Sequence, residues 1–493
     1  MFEGELPGAS VLAGVDDAAL VDAITGWARL EAAAVASRLA AIAELTDRRC
    51  RSELATKREH WACDAWDSAA AEVAAAQSLS HRAASTLMHQ GLALRHRLPR
   101  VGALLATGSI SGRIATLVAW RTHLVDDAEA LAAIDSELAA AANKWGPLSA
   151  AKLEAKVDAL VERHDPDAVL QYRAASRGRD VRLGHQDDTT GTSSLWGRLY
   201  ATDAELLERR LNAMARAVCP DDPRTLGERR SEAMGVIAAG GDVLPCTCGR
   251  AECPTAGPDA RGSAIVIHVL TDMNPREAAE PTPTDDGSGP TGTAAQPPAS
   301  TCPATTAVIA GGDVVPAPLV AELRRMGAVM RPVPNPASLG AEPGYRPSAR
   351  LERLVRSRDL TCCFPGCDHP AEYCDVDHTI PDGAGGLTHP GNLKCLCRKH
   401  HLLKTFWTGK SGWTDRQESD GTVIWTSPTG HEYAKPPGSR IHFPEWNTTT
   451  PTPASPPAPA SPPPADRGVT MPKRRRTRAS AWAARIQRER ECN

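Results

Sequence analysis

Asp377-His378, Gly385-Gly386, Asn392 and Cys397-Arg398-Lys399-His400-His401 follow one another in one stretch of the chain, and Cys362 and Cys367 stand just upstream. These are the residue types that hold a divalent cation and activate a water beside a phosphodiester. Hydrolysis of that bond needs a base for the water's proton, a cation on the non-bridging and leaving oxygens, and fixed placement of both. The cysteines suit a second purpose. Cys362-x4-Cys367 and Cys397-x2-His400 are two short-spaced ligand pairs joined by a longer loop, the spacing of a closed tetrahedral metal site. Pro365-Gly366 supplies a tight turn inside the first pair; Cys363 can replace Cys362, and Cys395 can compete with Cys397. A metal held in this way contributes folding free energy directly, which a module of about fifty residues needs.

The elements that must position these groups are written in the same stretch. Val376 and Ile380 flank Asp377-His378-Thr379 in a β-like context that turns Asp377 and His378 to opposite sides. Gly383–Gly386 reads as a loop whose glycines admit a phosphate backbone at close range. From Leu396 to Lys404 the chain reads as a helix, on which adjacent residues point about 100° apart. His400 and His401 can therefore serve two sites, one facing the cysteines and the other the reaction centre.

The run resembles the zinc-stapled HNH endonucleases of the ββα-metal type. Their pattern is a cysteine pair, Asp-His, Gly-Gly with a downstream Asn, then Leu-Cys-x-x-Cys/His-His-x-x-Lys, and this chain matches each place. The resemblance implies a metal-dependent hydrolase of DNA with His378 as general base and Asp377 and His401 as ligands of a catalytic Mg, Mn or Ni ion. It implies that Asn392 orients the base or joins the metal's sphere, and that Arg398 and Lys404 bind phosphate. Cys362, Cys367, Cys397 and His400 would carry a structural zinc; His400 stands where many members have cysteine and is itself a sound zinc ligand. A non-catalytic zinc-containing DNA-binding or recombination accessory protein is the alternative, and an RNA target a third reading.

At 493 residues the chain exceeds what one core usually supports, so a multidomain, mainly α architecture is expected. Net charge is −3, an average that excludes no partner, and aromatics make up only 4% of residues. Closely packed Ala- and Leu-rich helices fit that composition. Most of the 14 cysteines fall at 246–253 and 362–397, a clustering that speaks for metal rather than disulfides. No apolar run reaches the eighteen or so residues of a membrane helix, and Glu3, Glu5, Asp16 and Asp17 do not open like a secretory signal. A cytoplasmic protein without membrane contact is expected.

Helical spacing of apolar residues fills 17–58, 67–95, 98–107, 111–121, 127–145, 148–163, 203–218 and 225–239, and Ser263–Leu270 reads as a strand. The expected division is an all-helical domain with a small β element over 15–272 and a low-complexity insertion over 273–312. A short helix and connector (313–345) lead to the zinc-stapled module with a following β-hairpin (346–435), a disordered Pro-rich linker (436–472) and a basic tail (473–493). Arg97-Leu98-Pro99 with Leu104-Leu105-x-x-Gly108-x-Ile110, the Arg229–Ala239 helix and the Ile265–Leu270 strand resemble the domain-of-unknown-function 222 family, which in bacteria precedes an HNH domain. Leu79 to Leu94 is weakly like a helix-turn-helix, although such alanine spacing also suits helix packing. Cys246, Cys248 and Cys253 form a second knuckle that needs a fourth ligand, His268 or Cys219. The arginines of the tail are expected to meet phosphate.

Overall fold

The computed structural model describes residues 6–141, 149–168, 180–187, 192–264, 266–269, 307–309, 314–315, 320, 323–325, 327–450 and 470–490. Most of the 273–312 insertion and the greater part of the Pro-rich linker lie outside the described residues.

Asp16 accepts a bond from the Ala19 amide and starts α1 (Asp17–Cys50). The helices α2 (Glu53–Lys57), α3 (Ala65–Gln77), α4 (His81–Leu92), α5 (Pro99–Ala106), α6 (Gly112–Arg121), α7 (Ala128–Ala141) and α8 (Ala150–His164) follow. Ser52, Asp64, Ser80, Ser111 and Ser149 cap their N-termini with side-chain oxygens. The architecture turns on α3, which is buried from Ala65 to Ala75. Ala69, Ala70, Val73 and Ala74 join Leu39, Met88 and Leu105 in the core of the helical region. Ala65, Ala71 and Ala75 join Leu351, Phe364, Trp413 and Trp425 in a second core. The helix is covered on nearly all sides, its buried Asp67, Ser68 and Glu72 included, and its alanines let both neighbours come close. The cysteine-rich module and the helical region thus share α3 rather than hang on a tether.

In the helix-turn-helix-like stretch Leu79–Leu94, α4 packs along its inner face while Arg82 and Thr86 stay exposed. Ala84, Met88 and Gly91 face inward, and a Cβ on Gly91 would lie 2.7 Å from the Leu39 carbonyl. On the outer side His81 and His89 meet other parts of the chain.

A hairpin of β1 (Asp180–Asp187) and β2 (Thr192–Arg198) precedes α9 (Ala201–Ala217) and α10 (Leu226–Ala238). The strands β3 (Val266–Val269), β4 (Ala307–Ile309), β5 (Val314–Val315) and β6 (Val329–Pro332) form a sheet in the order β5-β4-β3-β6. Of the expected Ser263–Leu270 strand, Val266–Val269 form β3, whereas Ser263 and Ala264 end a short helix (Ala260–Ala264); Ile265 and Leu270 lie outside the described residues. Next come α11 (Ala349–Asp359), the antiparallel pair β7 (Asp375–His378) and β8 (Leu393–Leu396), and α12 (Arg398–Phe406). The hairpin expected beyond them is a three-stranded sheet of β9 (Thr414–Gln417), β10 (Val423–Thr426) and β11 (Glu432–Lys435), with β10 central. None of the described helices is long and apolar enough to cross a membrane.

The basic tail is docked on the chain. Residues 470–490 are described, and α13 (Arg478–Arg490) lies against the helical region. The reason is electrostatic. Asp64 and Asp67 are buried carboxylates at the start of α3, and a buried charge without a partner is costly. Arg474 reaches Asp64 at 2.7 Å and Asp67 at 2.9 Å, and Arg478 reaches the same two at 2.9 and 2.8 Å. Burial alone would raise the Asp67 pKa; His81, Arg478 and Lys399 hold it below the ordinary range instead. At the far end Arg490 pairs with Asp165 at 2.6 Å, and Ile486 packs on the helical core. Lys473, Arg475, Arg476 and Arg488 stay exposed.

Docking of α13 carries a pH dependence. His89 is pressed between Trp66 and Trp482, with ring centroids at 4.2 and 5.2 Å. The ring keeps an exposed edge, but desolvation between the two indoles, with the Arg478 charge beside it, lowers its pKa to about 4. A free histidine titrates near about 6.5, so the undocked state takes up the proton first. Docking stability is therefore intact above pH about 6.5 and declines as the pH falls towards 4. Proteolytic cleavage of the 470–477 connector should rise across that window in the wild type and stay level in His89→Gln. Equal profiles for the two proteins would contradict this role for His89.

Candidate metal and reaction centre

The ladder register sets the site. Asp375 faces Leu396, Asp377 faces Lys394 and His378 faces Leu393 across the β7–β8 pair. Alternation along β7 puts Asp375 and Asp377 on one side and His378 on the other. The two carboxylates look at α12, where Arg398, His401 and Lys404 recur at three-residue intervals along one face. His401 is split between them: Nδ1 lies 2.7 Å from Asp375 Oδ2 and Nε2 lies 3.4 Å from Asp377 Oδ1. A neutral His401 that donates Nδ1–H to Asp375 has its Nε2 lone pair facing a carboxylate oxygen. Two acceptors aimed at each other suit a cation between them, and a carboxylate on the far nitrogen is the usual support of a metal-binding histidine.

Lys404 is turned inward. Its Nζ donates to Asp377 Oδ2 at 2.6 Å and also to the His378 carbonyl. Burial, with Lys394 nearby, lowers its pKa. Lys394 is fully buried, 2.7 Å from Asp415 and 3.8 Å from Asp377, and donates to Thr379 Oγ1. Burial pushes Lys394 down, but Asp415 and Asp377 leave it above the ordinary lysine value. For Asp377, burial pushes up while Lys394 and Lys404 pull the pKa below normal, so it stays a carboxylate. Arg398 is exposed and 3.3 Å from Asp375.

On the other side of β7 the His378 ring stacks on Tyr345 with centroids 5.3 Å apart, and Nε2 lies 2.9 Å from Thr388 Oγ1. The single Thr388 hydroxyl proton goes to a carbonyl, that of Gly344 at 2.6 Å. Thr388 therefore accepts from His378 Nε2–H, which leaves Nδ1 as the basic nitrogen. Burial lowers the His378 pKa, although Asp377 and Asp382 act against it.

Asn392 is occupied with the chain itself. Its Oδ1 accepts from the Ile380 amide at 2.8 Å, and its Nδ2 donates to the Ile380 and Leu387 carbonyls at 3.1 and 2.9 Å. It closes the loop that leaves His378, an orienting role exerted through backbone. The Gly-Gly pair serves the same closure. Gly385 has φ +87°, and a Cβ on Gly386 would collide with the Ile380 carbonyl.

The opposite face of α12 meets the cysteines. Cys362, Cys367 and Cys397 Sγ and a His400 ring nitrogen lie within 4.8 Å of one another, close enough to hold one metal ion, and all four residues are buried. His400 Nδ1 is 3.3 Å from Cys397 and 3.5 Å from Cys362, and the Cys397 amide points at Cys362 Sγ. Hydrogen bonds from Cys362 and Cys367 push the Cys397 pKa far below normal, while burial pushes Cys362 up. Three thiols packed this way cannot all ionise without a cation, which is the chemistry of a soft-metal donor set. Cys363 and Cys395 lie outside the group and join the buried core.

The helical region touches this cluster directly. The His81 ring meets His400 edge-on with centroids 5.7 Å apart, and a Cβ on Gly366 would collide with the Leu79 carbonyl. Lys399 reaches Asp67 at 3.1 Å, and Trp407 Nε1 donates to the Cys63 carbonyl. Sequence reasoning missed Asp375, Lys394, Asp415, Thr388 and Tyr345. Asp375 had a signal in its two-residue spacing from Asp377; the others come from elements whose register is not written locally.

The site thus combines a closed cluster of three cysteines and one histidine with a carboxylate–histidine pair on a strand-loop-strand-helix unit. The model of the family described as "Domain of unknown function (DUF222)" matches residues 27–359, and the chain belongs to that family. The match ends at Asp359, just before Cys362. An uncharacterized protein of Mycobacterium tuberculosis (strain ATCC 25618 / H37Rv) is 52% identical over 510 residues, spanning 100% of this chain and 91% of the relative. A second from that strain is 52% identical over 498 residues, spanning 99% and 93%. An uncharacterized M. tuberculosis protein in the est 3'region is 50% identical over 355 residues, 71% of this chain and 99% of its own length. No solved structure matches the chain.

Proposed function

We propose that the chain is a metal-dependent endonuclease of the HNH type that hydrolyses phosphodiester bonds in DNA. The reading is carried by His401, whose two nitrogens are shared between Asp375 and Asp377 while His378 presents a basic Nδ1 across the same strand. Asp377 and His401 would hold a divalent ion (Mg, Mn or Ni), and when bound it supplies positive charge for the phosphate oxygens. His378 Nδ1 takes the proton of the attacking water, with Thr388 fixing the tautomer. Asn392 keeps the loop beyond His378 closed. Arg398, exposed at the rim, meets backbone phosphate, as do the exposed Lys473, Arg475 and Arg476. Lys404 serves phosphate only after leaving Asp377. Cys362, Cys367, Cys397 and His400 carry a structural zinc that sets the angle of α12.

One observation favours a second reading. Lys404 neutralises Asp377, and Tyr345 covers His378. Both suit a non-catalytic, zinc-containing DNA-binding accessory protein. Incubating supercoiled plasmid with the chain and Mg, Mn or Ni decides between them. Metal-dependent nicking that EDTA stops and duplex DNA outcompetes better than RNA is the expected result. DNA binding without cleavage under every metal would favour the accessory role.

A further inference from the structure

A second cysteine cluster lies far from the reaction centre in sequence and is independent of the nuclease reading. Cys219 sits just beyond the end of α9, and Cys246, Cys248 and Cys253 lie in the loop after α10. Their four Sγ atoms fall within 4.8 Å of one another. His268, the other candidate fourth ligand, is outside the group. The Cys219 and Cys246 sulfurs are 3.2 Å apart, well beyond the about 2.05 Å of a disulfide.

The loop is shaped to turn its sulfurs inward. Gly249 has φ +76°, a conformation that favours glycine, immediately after Cys248. The Cys248 amide points at Cys246 Sγ at 3.4 Å. Behind the thiols, Asp222 accepts from the Thr247 amide at 3.0 Å and pairs with Arg224, which in turn donates to the Pro245 carbonyl. That network ties the Cys219 side to the Cys246 side. Arg250 and Asp221 bridge the same two loops at 2.7 Å.

The surrounding unit also needs a staple. The buried apolar residues between α9 and α10 are Leu211, Met214, Val218, Ala233, Val236 and Leu244, with Cys246 packed on their edge. A cluster this small cannot offset the ordering of two helices and a long loop, and metal ligation is a common remedy in small units. Four sulfur donors without oxygen or imidazole select a tetrahedral soft ion, and zinc needs no redox partner.

We propose that Cys219, Cys246, Cys248 and Cys253 bind a second, structural zinc ion that clamps the α9–α10 hairpin. Binding replaces S–H by S–Zn bonds and releases the thiol protons to solvent.

The full chain, purified under reducing conditions without chelator, is assayed for zinc and iron by mass spectrometry. Two zinc ions per chain are expected, falling to one in Cys248→Ser and, separately, to one in Cys362→Ser. Loss in the second variant alone reports on the module site and leaves the four-cysteine proposal contradicted. Iron in place of zinc, or loss of free Cys219 and Cys246 thiols to a disulfide, also overturns it. Should a serine variant fold poorly, cobalt(II) reconstitution of the wild type gives a second readout. Thiolate-to-cobalt absorption that saturates at two equivalents supports the site; saturation at one that disappears in Cys362→Ser refutes it.

Discussion

Cys397→Ser is expected to abolish cooperative folding of the C-terminal module and to loosen the N-terminal helices packed on it. Cys397 is both the N-cap residue of α12 and one of four converging donors. Structural zinc contributes about 10–16 kcal/mol of apparent binding energy in small zinc-finger peptides, against a total stability of about 5–15 kcal/mol for a typical domain. With a zinc held there, removing one ligand would remove most of that gain and leave thiols buried together. The effect should spread, because Ala65, Ala71 and Ala75 of α3 share a core with Leu351, Phe364 and Trp425. Circular dichroism melts of wild type with and without chelator, and of Cys397→Ser, check this. A transition temperature unmoved by either change would contradict the staple.

Asp359→Ala should cost about 3–5 kcal/mol, the usual penalty for stranding a buried charge. Arg358 and Asp359 close α11 with side chains 1% and 0% exposed, so water cannot take over for a missing partner. Asp359 Oδ1 accepts from Arg358 Nε at 2.7 Å, and its Oδ2 accepts from the Cys395 amide at 2.8 Å. Arg358 spends its remaining donors on the Pro390 and Leu393 carbonyls. The pair therefore pins the last residues matched by the family model to β8, the strand that sets the register of Asp377. Urea unfolding should show the midpoint falling with little change in slope. A cost under about 1 kcal/mol would mean that the guanidinium finds water or another acceptor.

What could be read from the chain and what could not divide along physical lines. The set of Cys362, Cys367, Cys397 and His400 is legible because ligand spacing is local, and the split between His400 and His401 is legible because helical geometry turns neighbours about 100° apart. The resemblance of residues 97–110, 229–239 and 265–270 to the family was legible from short motifs, and the family match spans them. The inward turn of Lys404 was not, since it depends on Asp377, Lys394 and Asp415 meeting across three strands. Asn392 carries an amide that could serve a metal or a loop, and only the positions of the Ile380 and Leu387 backbone settle which it touches. The docking of the tail joins Arg474 to Asp64 across 410 residues. No local pattern encodes such a partner, and a run of arginines after a Pro-rich linker reads as solvated.

The proposed reaction centre is tested most directly by nicking of supercoiled plasmid with wild type and His378→Ala side by side, at equal zinc content and with matching circular dichroism. Loss of a general base costs about 10²–10⁴-fold in rate, so the variant should cleave at least about a hundredfold more slowly in the presence of Mg or Mn. Equal rates for the two proteins would contradict His378 as the base.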